Sequence, residues 1–277
     1  KVQYSCFPNG NGGIVDDLLV YNIAENDYLL VVNAANIDKD WAWVSKQNEK
    51  FGAEIANISN EISQLAIQGP LALKAMQKLT AESVEDMEYY TTKTLTFAGI
   101  ENVIFSTTGY TGAGGCEIYF RNEDAEKIWN AVFEAGAEFD IKPIGLAARD
   151  TLRLEMGFCL YGHEIDDTIT PIEAGLGWIT KFVDHKDFID KERMLNMKAE
   201  GLKRKLVGFE MIDRGIPRLE YEVCDAEGNN IGIVRSGTIG PSVEKSIGTA
   251  WIKTEYAKVG TEIYIKIRNK LTKAITV

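Results

Sequence analysis

The chain has 277 residues, of which 45% are hydrophobic and 26% charged, and its formal net charge is -11. This hydrophobic fraction is enough for packed cores and excludes disorder as the main state, while the length favours two or three domains. The negative charge, without any cluster of Lys or Arg, disfavours nucleic acid and anionic membrane surfaces as partners. No apolar run reaches about 18 residues, so we expect no transmembrane helix.

Cysteine and histidine usage narrows the chemistry further. Four cysteines lie far apart without a Cys-x-x-Cys pair, which favours free thiols in a reducing compartment. Two histidines are too few for a histidine-based metal site, and the absence of a Gly-x-Ser-x-Gly segment disfavours a Ser-His-Asp triad. The chain starts with Lys, and no signal-like segment follows. We expect a bacterial cytoplasm and no metal, with the mitochondrion as the alternative compartment.

The first half of the chain predicts mixed strands and helices with short connections, which favours an α+β fold over a doubly wound sheet. Helices are expected over residues 37–51, 71–79, 125–135 and 146–156. Strands are expected over residues 2–7, 14–23, 28–33, 54–58, 63–68, 87–97 and 100–106, and a glycine-rich loop at 109–115 leads into a further strand.

The second half begins with a loop-rich stretch at 157–182 and a short helix at 190–199. After Gly201 the pattern changes to short strands separated by turns, which is typical of a small barrel or sandwich. These strands are expected over residues 205–211, 221–224, 231–236, 247–252 and 262–266.

Two adjacent acids, Asp16 and Asp17, stand inside the apolar strand that follows the turn Gly12-Gly13. Ionised acids are rarely buried without a partner, and strand side chains alternate, so one acid points to each face. An edge strand would leave both acids solvated. The alternative is a carboxylate held in an apolar pocket as a base or as a ligand for a polar nitrogen.

The glycine-rich loop at 109–115 has neither a Walker nor a Rossmann pattern. Glycines allow close backbone approach to a flat ligand, on which Tyr110 could stack. Glu117 follows in an apolar strand, where a carboxylate suits the two adjacent N–H donors of an amino-pyrimidine edge. The alternative is a hairpin with a solvated glutamate. On the helix at 146–156, Arg149 and Arg153 repel each other, so at least one needs an acid, and the candidates are Asp150, Glu155 or the tail of an acidic ligand.

These residues resemble the aminomethyltransferase (T-protein) family of the glycine cleavage system. The segment 31–36 (Val-Val-Asn-Ala-Ala-Asn) is also similar to this family. Four longer segments carry the resemblance in the family's order and spacing: Asn11-Gly12-Gly13-Ile14-Val15-Asp16-Asp17-Leu18, Thr108-Gly109-Tyr110-Thr111-Gly112, Ala148-Arg149-Asp150-Thr151-Leu152-Arg153-Leu154-Glu155 and Thr170-Pro171-Ile172-Glu173-Ala174-Gly175-Leu176.

The resemblance implies an α+β fold, a multi-domain cloverleaf of ferredoxin-like α/β units with antiparallel sheets and a small C-terminal β-barrel. It places part of an inserted α+β domain with the catalytic strand at 1–57 and a folate-binding α+β domain at 58–165. A linker at 166–200 and the barrel at 201–277 follow. Family members begin before this chain and continue past its end, so we expect a sequence truncated on both sides.

The resemblance also implies a reaction. The aminomethyl carbon carried on the lipoyl arm of H-protein passes to tetrahydrofolate, ammonia is released and 5,10-methylenetetrahydrofolate forms. Asp17 would be the catalytic carboxylate near the folate nitrogens, with Asp16 structural. The folate-binding residues implied by the family are Glu117 on the pterin edge, Arg149 at the glutamate tail, Tyr21, Tyr89 and Tyr110 along the channel, and Trp178 near it.

Two other functions share the fold. Non-catalytic folate-binding modules of iron–sulfur assembly carry a Lys-Gly-Cys-Tyr-x-Gly-Gln signature, but the corresponding region at 188–193 has no cysteine. The folate domain of a flavin-dependent demethylating oxidase is the other alternative, and the chain has no Gly-x-Gly-x-x-Gly segment for a flavin. The missing cysteine favours the transferase, whereas a truncation could hide the flavin segment.

Overall fold

A computed structural model describes all 277 residues. The chain divides into two compact units. The first unit comprises Lys1–Ser5 and Leu18–Leu146, and the second comprises Cys6–Asp17 and Ala147–Val277. The domain boundaries expected after residues 57, 165 and 200 stay predictions.

The N-terminal strands form a three-stranded sheet. Its strands are β1 (Val2–Pro8), β2 (Ile14–Ala24) and β3 (Asp27–Val31), in the order β1-β2-β3. The interpretation of both acids as solvated on an edge strand is wrong, because Asp16 is fully buried. Helix α1 (Ile37–Asn48) follows.

The strand expected over residues 54–58 is absent, which corrects that prediction. Residues 51–60 are all exposed, and no neighbouring strand supplies the backbone partners that a strand needs. The Asn48 side chain instead holds the backbone of Ala53 through hydrogen bonds of 2.7 and 2.9 Å. Although Ile55, Ala56 and Ile58 are apolar, this segment has no sheet to join.

A four-stranded antiparallel sheet organises the rest of the first unit. Its strands stand in the order β4-β7-β6-β5. They are β4 (Ile62–Gln68), β5 (Thr92–Phe97), β6 (Ile100–Ser106) and β7 (Gly115–Arg121). One face packs its alternate side chains into an apolar core with helices α2 (Ala72–Met76) and α3 (Ala125–Gly136). The residues at the alternate positions of these strands, including Glu117 and Tyr119, therefore point to the other face of the sheet.

The strand predicted over residues 87–97 is only half correct, because residues 87–91 form a turn rather than a strand. Tyr90 has a φ of 62°, which is incompatible with extended backbone. The turn is held by Thr107, whose hydroxyl donates to the carbonyl of Glu88 at 2.5 Å. The apolar and aromatic residues of this stretch mimicked a strand that the backbone does not adopt.

The second unit contains helices α4 (Leu146–Glu155) and α5 (Lys191–Glu200) and a closed barrel of six strands. The barrel order is β10-β11-β8-β13-β12-β9. Its strands are β8 (Arg204–Met211), β9 (Glu222–Cys224), β10 (Asn230–Gly240), β11 (Lys245–Lys253), β12 (Glu262–Ile267) and β13 (Lys270–Thr276). The interior is apolar, with Phe209, Ile252 and Ile265 fully enclosed.

The predicted α+β class with antiparallel sheets and a C-terminal barrel is confirmed. Strand β13 was missed from the sequence because its buried positions are Thr272, Ala274 and Thr276, which give a weak apolar alternation. None of the helices has both the length and the apolar composition needed to cross a bilayer.

Candidate active site

The turn before β2 requires glycine at both Gly12 and Gly13. Gly12 has a φ of 94°, a conformation that favours glycine. Gly13 is required for a different reason, because a Cβ there would lie 1.7 Å from the carbonyl oxygen of Asp167. The side chain of Asn9 accepts from Gly13 N–H at 2.9 Å and donates to the Asp167 carbonyl at 2.8 Å. The turn is therefore tied to the loop at Asp167, and it sets where β2 begins.

Asp190 holds the same turn from a distant part of the chain. Its Oδ2 accepts from the backbone N–H of Gly10 at 2.9 Å and of Gly12 at 3.0 Å. Its side chain is only 4% exposed, and its Oδ1 lies 3.4 Å from Nε of Arg193. Sequence reasoning missed Asp190, whose position just before a helix indicates an N-cap and nothing more.

The two acids of β2 differ in burial. Asp16 is fully buried, whereas Asp17 is half-buried. An accessible carboxylate can reach a ligand, and an inaccessible one can serve only the fold. This difference supports the choice of Asp17 over Asp16 as the reactive acid, a choice that strand alternation alone could not make.

Two thiols lie in the electrostatic field of Asp17. Burial raises the pKa of Cys6 well above its usual value, and the charge of Asp17 raises it further. Burial also raises the pKa of Cys159 to about 12, with contributions from Glu164 and then Asp17. Such thiols stay protonated near neutral pH, and a protonated thiol is a poor nucleophile. Neither cysteine is therefore a competing nucleophile beside Asp17.

Glu117, in the first unit, is half-buried and held on both carboxylate oxygens. Thr108 donates its hydroxyl to Oε2 at 2.5 Å, and Gln64 donates its amide to Oε1 at 2.8 Å. The hydroxyl of Tyr119 lies 3.4 Å from Oε2. The alternative of a freely solvated glutamate on a hairpin is not the arrangement found.

Tyr21 belongs to the network around Glu117. Its hydroxyl lies 3.0 Å from Oγ1 of Thr108 and 2.8 Å from the hydroxyl of Tyr119. Burial, followed by the negative charge of Glu117, raises the pKa of both phenols, so both stay neutral. Tyr21 is fully buried. Its predicted role in the folate channel stays a prediction.

The other two tyrosines are more accessible. Tyr89 is 60% exposed, and its ring stands edge-on to that of Tyr90 with centroids 4.7 Å apart. Burial and the charge of Glu117 raise the pKa of Tyr89, which places it in the same electrostatic environment. Tyr110 is half-buried in the glycine-rich loop. That loop is fastened by Thr111, which donates to Oε1 of Gln68 at 2.9 Å.

In the second unit, the two arginines of α4 have different environments. Arg153 is 1% exposed and pairs with Asp150 at 2.6 Å and with Glu164 at 3.0 Å. Arg149 is exposed on the same helix. Asp150, one of the acids considered from the sequence, is therefore a partner of Arg153, whereas Glu164 was not anticipated. Trp178 is 63% exposed.

The predicted site residues are thus divided between the two units. Tyr21, Tyr89 and Glu117 are brought together in the first unit, which also holds Tyr110. Asp17, Arg149 and Trp178 belong to the second unit.

Comparison with known proteins identifies the family. The family model of the GCVT N-terminal domain matches residues 1–184, and that of the glycine cleavage T-protein C-terminal barrel domain matches residues 204–277. An aminomethyltransferase of Bacteroides fragilis is 61% identical over 277 residues, which is 100% of this chain and 76% of the relative. An aminomethyltransferase of Flavobacterium psychrophilum is 58% identical over 268 residues, covering 97% of this chain and 74% of the relative.

A solved structure agrees with these relatives. The crystal structure of glycine cleavage system aminomethyltransferase T from Bartonella henselae matches with a TM-score of 0.90 and 30% sequence identity. The match covers 100% of this chain and 74% of the other. Family models, relatives and fold all agree, and the chain belongs to the aminomethyltransferase family, the T-proteins of the glycine cleavage system.

Proposed function

We propose that this chain, an aminomethyltransferase by family, uses Asp17 and Glu117 to move an aminomethyl carbon from lipoylated H-protein to tetrahydrofolate. The carbon–sulfur bond to the lipoyl arm and the carbon–nitrogen bond to the amino group break, and two bonds to folate nitrogens form. The two protons released from those nitrogens go to the lipoyl thiolate and to the departing ammonia. The products are 5,10-methylenetetrahydrofolate, ammonia and the reduced lipoyl arm.

The observation that carries the ligand assignment is the carboxylate of Glu117, held on both oxygens by Thr108 and Gln64. A pterin presents two adjacent N–H donors on one edge, and a carboxylate of fixed orientation can accept both. Tyr89 and Tyr110 offer aromatic faces and edges for a flat ring. The residues present therefore fit a tetrahydrofolate pterin.

Asp17 supplies charge rather than a covalent bond. A half-buried carboxylate stabilises positive charge that develops on the transferred carbon and on the attacking nitrogen. It also orients that nitrogen. Because Cys6 and Cys159 stay protonated, no thiolate competes for the electrophilic carbon.

The remaining site residues would bind the outer parts of the ligand. The exposed guanidinium of Arg149 suits the carboxylates of a glutamate tail, to which it can donate two hydrogen bonds in forked geometry. The exposed indole of Trp178 offers a further apolar face to the ligand. A bacterial cytoplasm is the compartment we propose, in keeping with the bacterial relatives.

The two alternative functions are not favoured, since relatives at 57–61% identity over the whole chain are aminomethyltransferases.

Calorimetric titration of the chain with tetrahydrofolate tests the proposal. We expect saturable binding that Glu117→Ala weakens by about tenfold or more. Glu101→Ala removes an exposed glutamate from β6 of the same sheet and is the matched control, with binding unchanged. Equal affinity of the unmutated chain and Glu117→Ala would contradict the assignment.

A further inference from the structure

We infer that Thr108 and Gln64 are positioning residues that fix the plane of the Glu117 carboxylate and thereby set the affinity for a pterin. The inference deepens the proposed function and rests on it. No part of it requires Thr108 or Gln64 to touch the ligand.

The strand register explains how the two donors reach opposite ends of one carboxylate. On β6, Ser106 lies directly opposite Glu117, and Thr108 follows two residues later. On β4, Ala66 lies opposite Glu117, and Gln64 is its neighbour on the same face. Gln64 therefore approaches from β4, and Thr108 approaches from the loop that follows β6, on the other side of β7, so that each oxygen receives one bond. Two such bonds restrict rotation of the carboxylate about its side-chain torsions.

A chain of hydroxyl groups supports the Thr108 bond. Thr108 has a single hydroxyl proton, and Glu117 at 2.5 Å is both the nearer and the stronger acceptor than the Ser106 hydroxyl at 3.1 Å. Because that proton goes to Glu117, the oxygen of Thr108 accepts from Tyr21 at 3.0 Å, and the hydroxyl oxygens of Tyr21 and Tyr119 lie 2.8 Å apart. The protons of Thr108 and Tyr21 therefore point toward the carboxylate, and successive bonds of this kind strengthen one another.

Pre-organisation of this kind acts on binding of the pterin alone. A carboxylate already held in the plane of the ligand's two N–H donors loses little rotational freedom when the ligand arrives. Removing the hydrogen bond from Thr108 or Gln64 leaves the negative charge of Glu117 in place but allows its carboxylate to rotate. The expected signature is a loss of affinity for ligands that carry a pterin and unchanged affinity for fragments that lack one.

The experiment compares two ligands on the full chain by calorimetry. Tetrahydrofolate carries the pterin, whereas p-aminobenzoylglutamate keeps only the benzoyl and glutamate parts. We expect Thr108→Val to weaken tetrahydrofolate binding about tenfold and p-aminobenzoylglutamate binding less than about twofold. Thr92→Val makes the same substitution on β5, where the hydroxyl donates to the Phe105 carbonyl at 3.1 Å, and should change neither affinity.

The double variant Thr108→Val/Glu117→Ala distinguishes an effect of Thr108 through Glu117 from a general loss of stability. If Thr108 acts through Glu117, Thr108→Val adds no further loss in the Glu117→Ala background. A full additional tenfold loss there, or equal weakening of both ligands, would overturn the inference. Gln64 is exposed, so Gln64→Leu supplies the same test should Thr108→Val fold poorly.

Two outcomes distinguish the proposed function from this inference. Absence of tetrahydrofolate binding by the unmutated chain would overturn the proposed function itself. Binding that Thr108→Val and Gln64→Leu leave intact would overturn this inference alone.

Discussion

The backbone N–H of Gly12 donates a 3.0 Å hydrogen bond to Oδ2 of Asp190, which stands 178 residues further along the chain. The same oxygen accepts from Gly10 at 2.9 Å. The long-range contact clamps the turn from which β2 starts, and β2 carries Asp17. The position of the proposed catalytic acid therefore depends on a residue that the glycine motif does not contain.

Replacing Asp190 should loosen this turn. We expect Asp190→Ala to lower the free energy of unfolding by about 1–3 kcal/mol, because two backbone N–H groups lose their acceptor. Asp190→Asn keeps one oxygen acceptor and should lose less. Urea unfolding followed by circular dichroism measures the change, with the exposed Asp187→Ala as control. Equal stability of Asp190→Ala and the unmutated chain would show that the clamp is dispensable.

Neutralising the proposed catalytic acid should separate turnover from binding. We expect Asp17→Asn to lower kcat by about tenfold or more, because its charge acts mainly on the transition state. The Kd for tetrahydrofolate should change little. Steady-state kinetics and calorimetry on the same preparation give both numbers. A variant with the turnover of the unmutated chain would refute the catalytic role.

The buried thiol of Cys159 should make the free energy of unfolding depend on pH in the alkaline range. Its pKa rises from 9.0 to about 12 on folding, first through burial and then through the charges of Glu164 and Asp17. Between these two values the unfolded chain releases the proton and the folded chain keeps it. The stabilising contribution is therefore complete below pH 9 and is lost as pH rises towards 12.

The measurement is the slope of unfolding free energy against pH, compared between the unmutated chain and Cys159→Ala. The slope of the unmutated chain should be steeper by up to about 1.4 kcal/mol per pH unit, the value for one proton. Lysine and tyrosine titration is common to both proteins and cancels in the difference. Parallel slopes would contradict the raised pKa.

The ion pair between Arg153 and Glu164 should dominate the stability of the second unit. Both side chains are almost fully buried at 3.0 Å, and Glu164 also accepts from Thr249 at 2.5 Å. We expect Glu164→Ala to lower the free energy of unfolding by about 3–5 kcal/mol, since it leaves a buried guanidinium without this partner. Chemical denaturation measures it, with the exposed Glu200→Ala as control. A loss below about 1 kcal/mol would contradict this reading.

The sequence predicted the elements that follow from local pattern. The meander, most helices and the barrel follow from alternation and turn residues, and β2 was found with both of its acids. The supports of the site could not be found in this way. Thr108, Gln64 and Asp190 act through hydrogen bonds to residues on other strands or loops, and no local spacing reveals such partners.

The errors have the same origin. Residues 54–58 include three apolar side chains but have no neighbouring strand to pair with. The true strand β13 turns two threonines and an alanine inward, so its alternation is weak. In both cases the presence or absence of a neighbouring strand, rather than the local sequence pattern, determines whether a strand forms.

Ammonia release from aminomethylated, lipoylated H-protein, measured with and without tetrahydrofolate, tests the central claim most directly. The unmutated chain should release ammonia rapidly only when tetrahydrofolate is present. Glu117→Ala should raise the KM for tetrahydrofolate, and Asp17→Asn should lower kcat. Release at the same rate in the presence and absence of tetrahydrofolate would contradict the account.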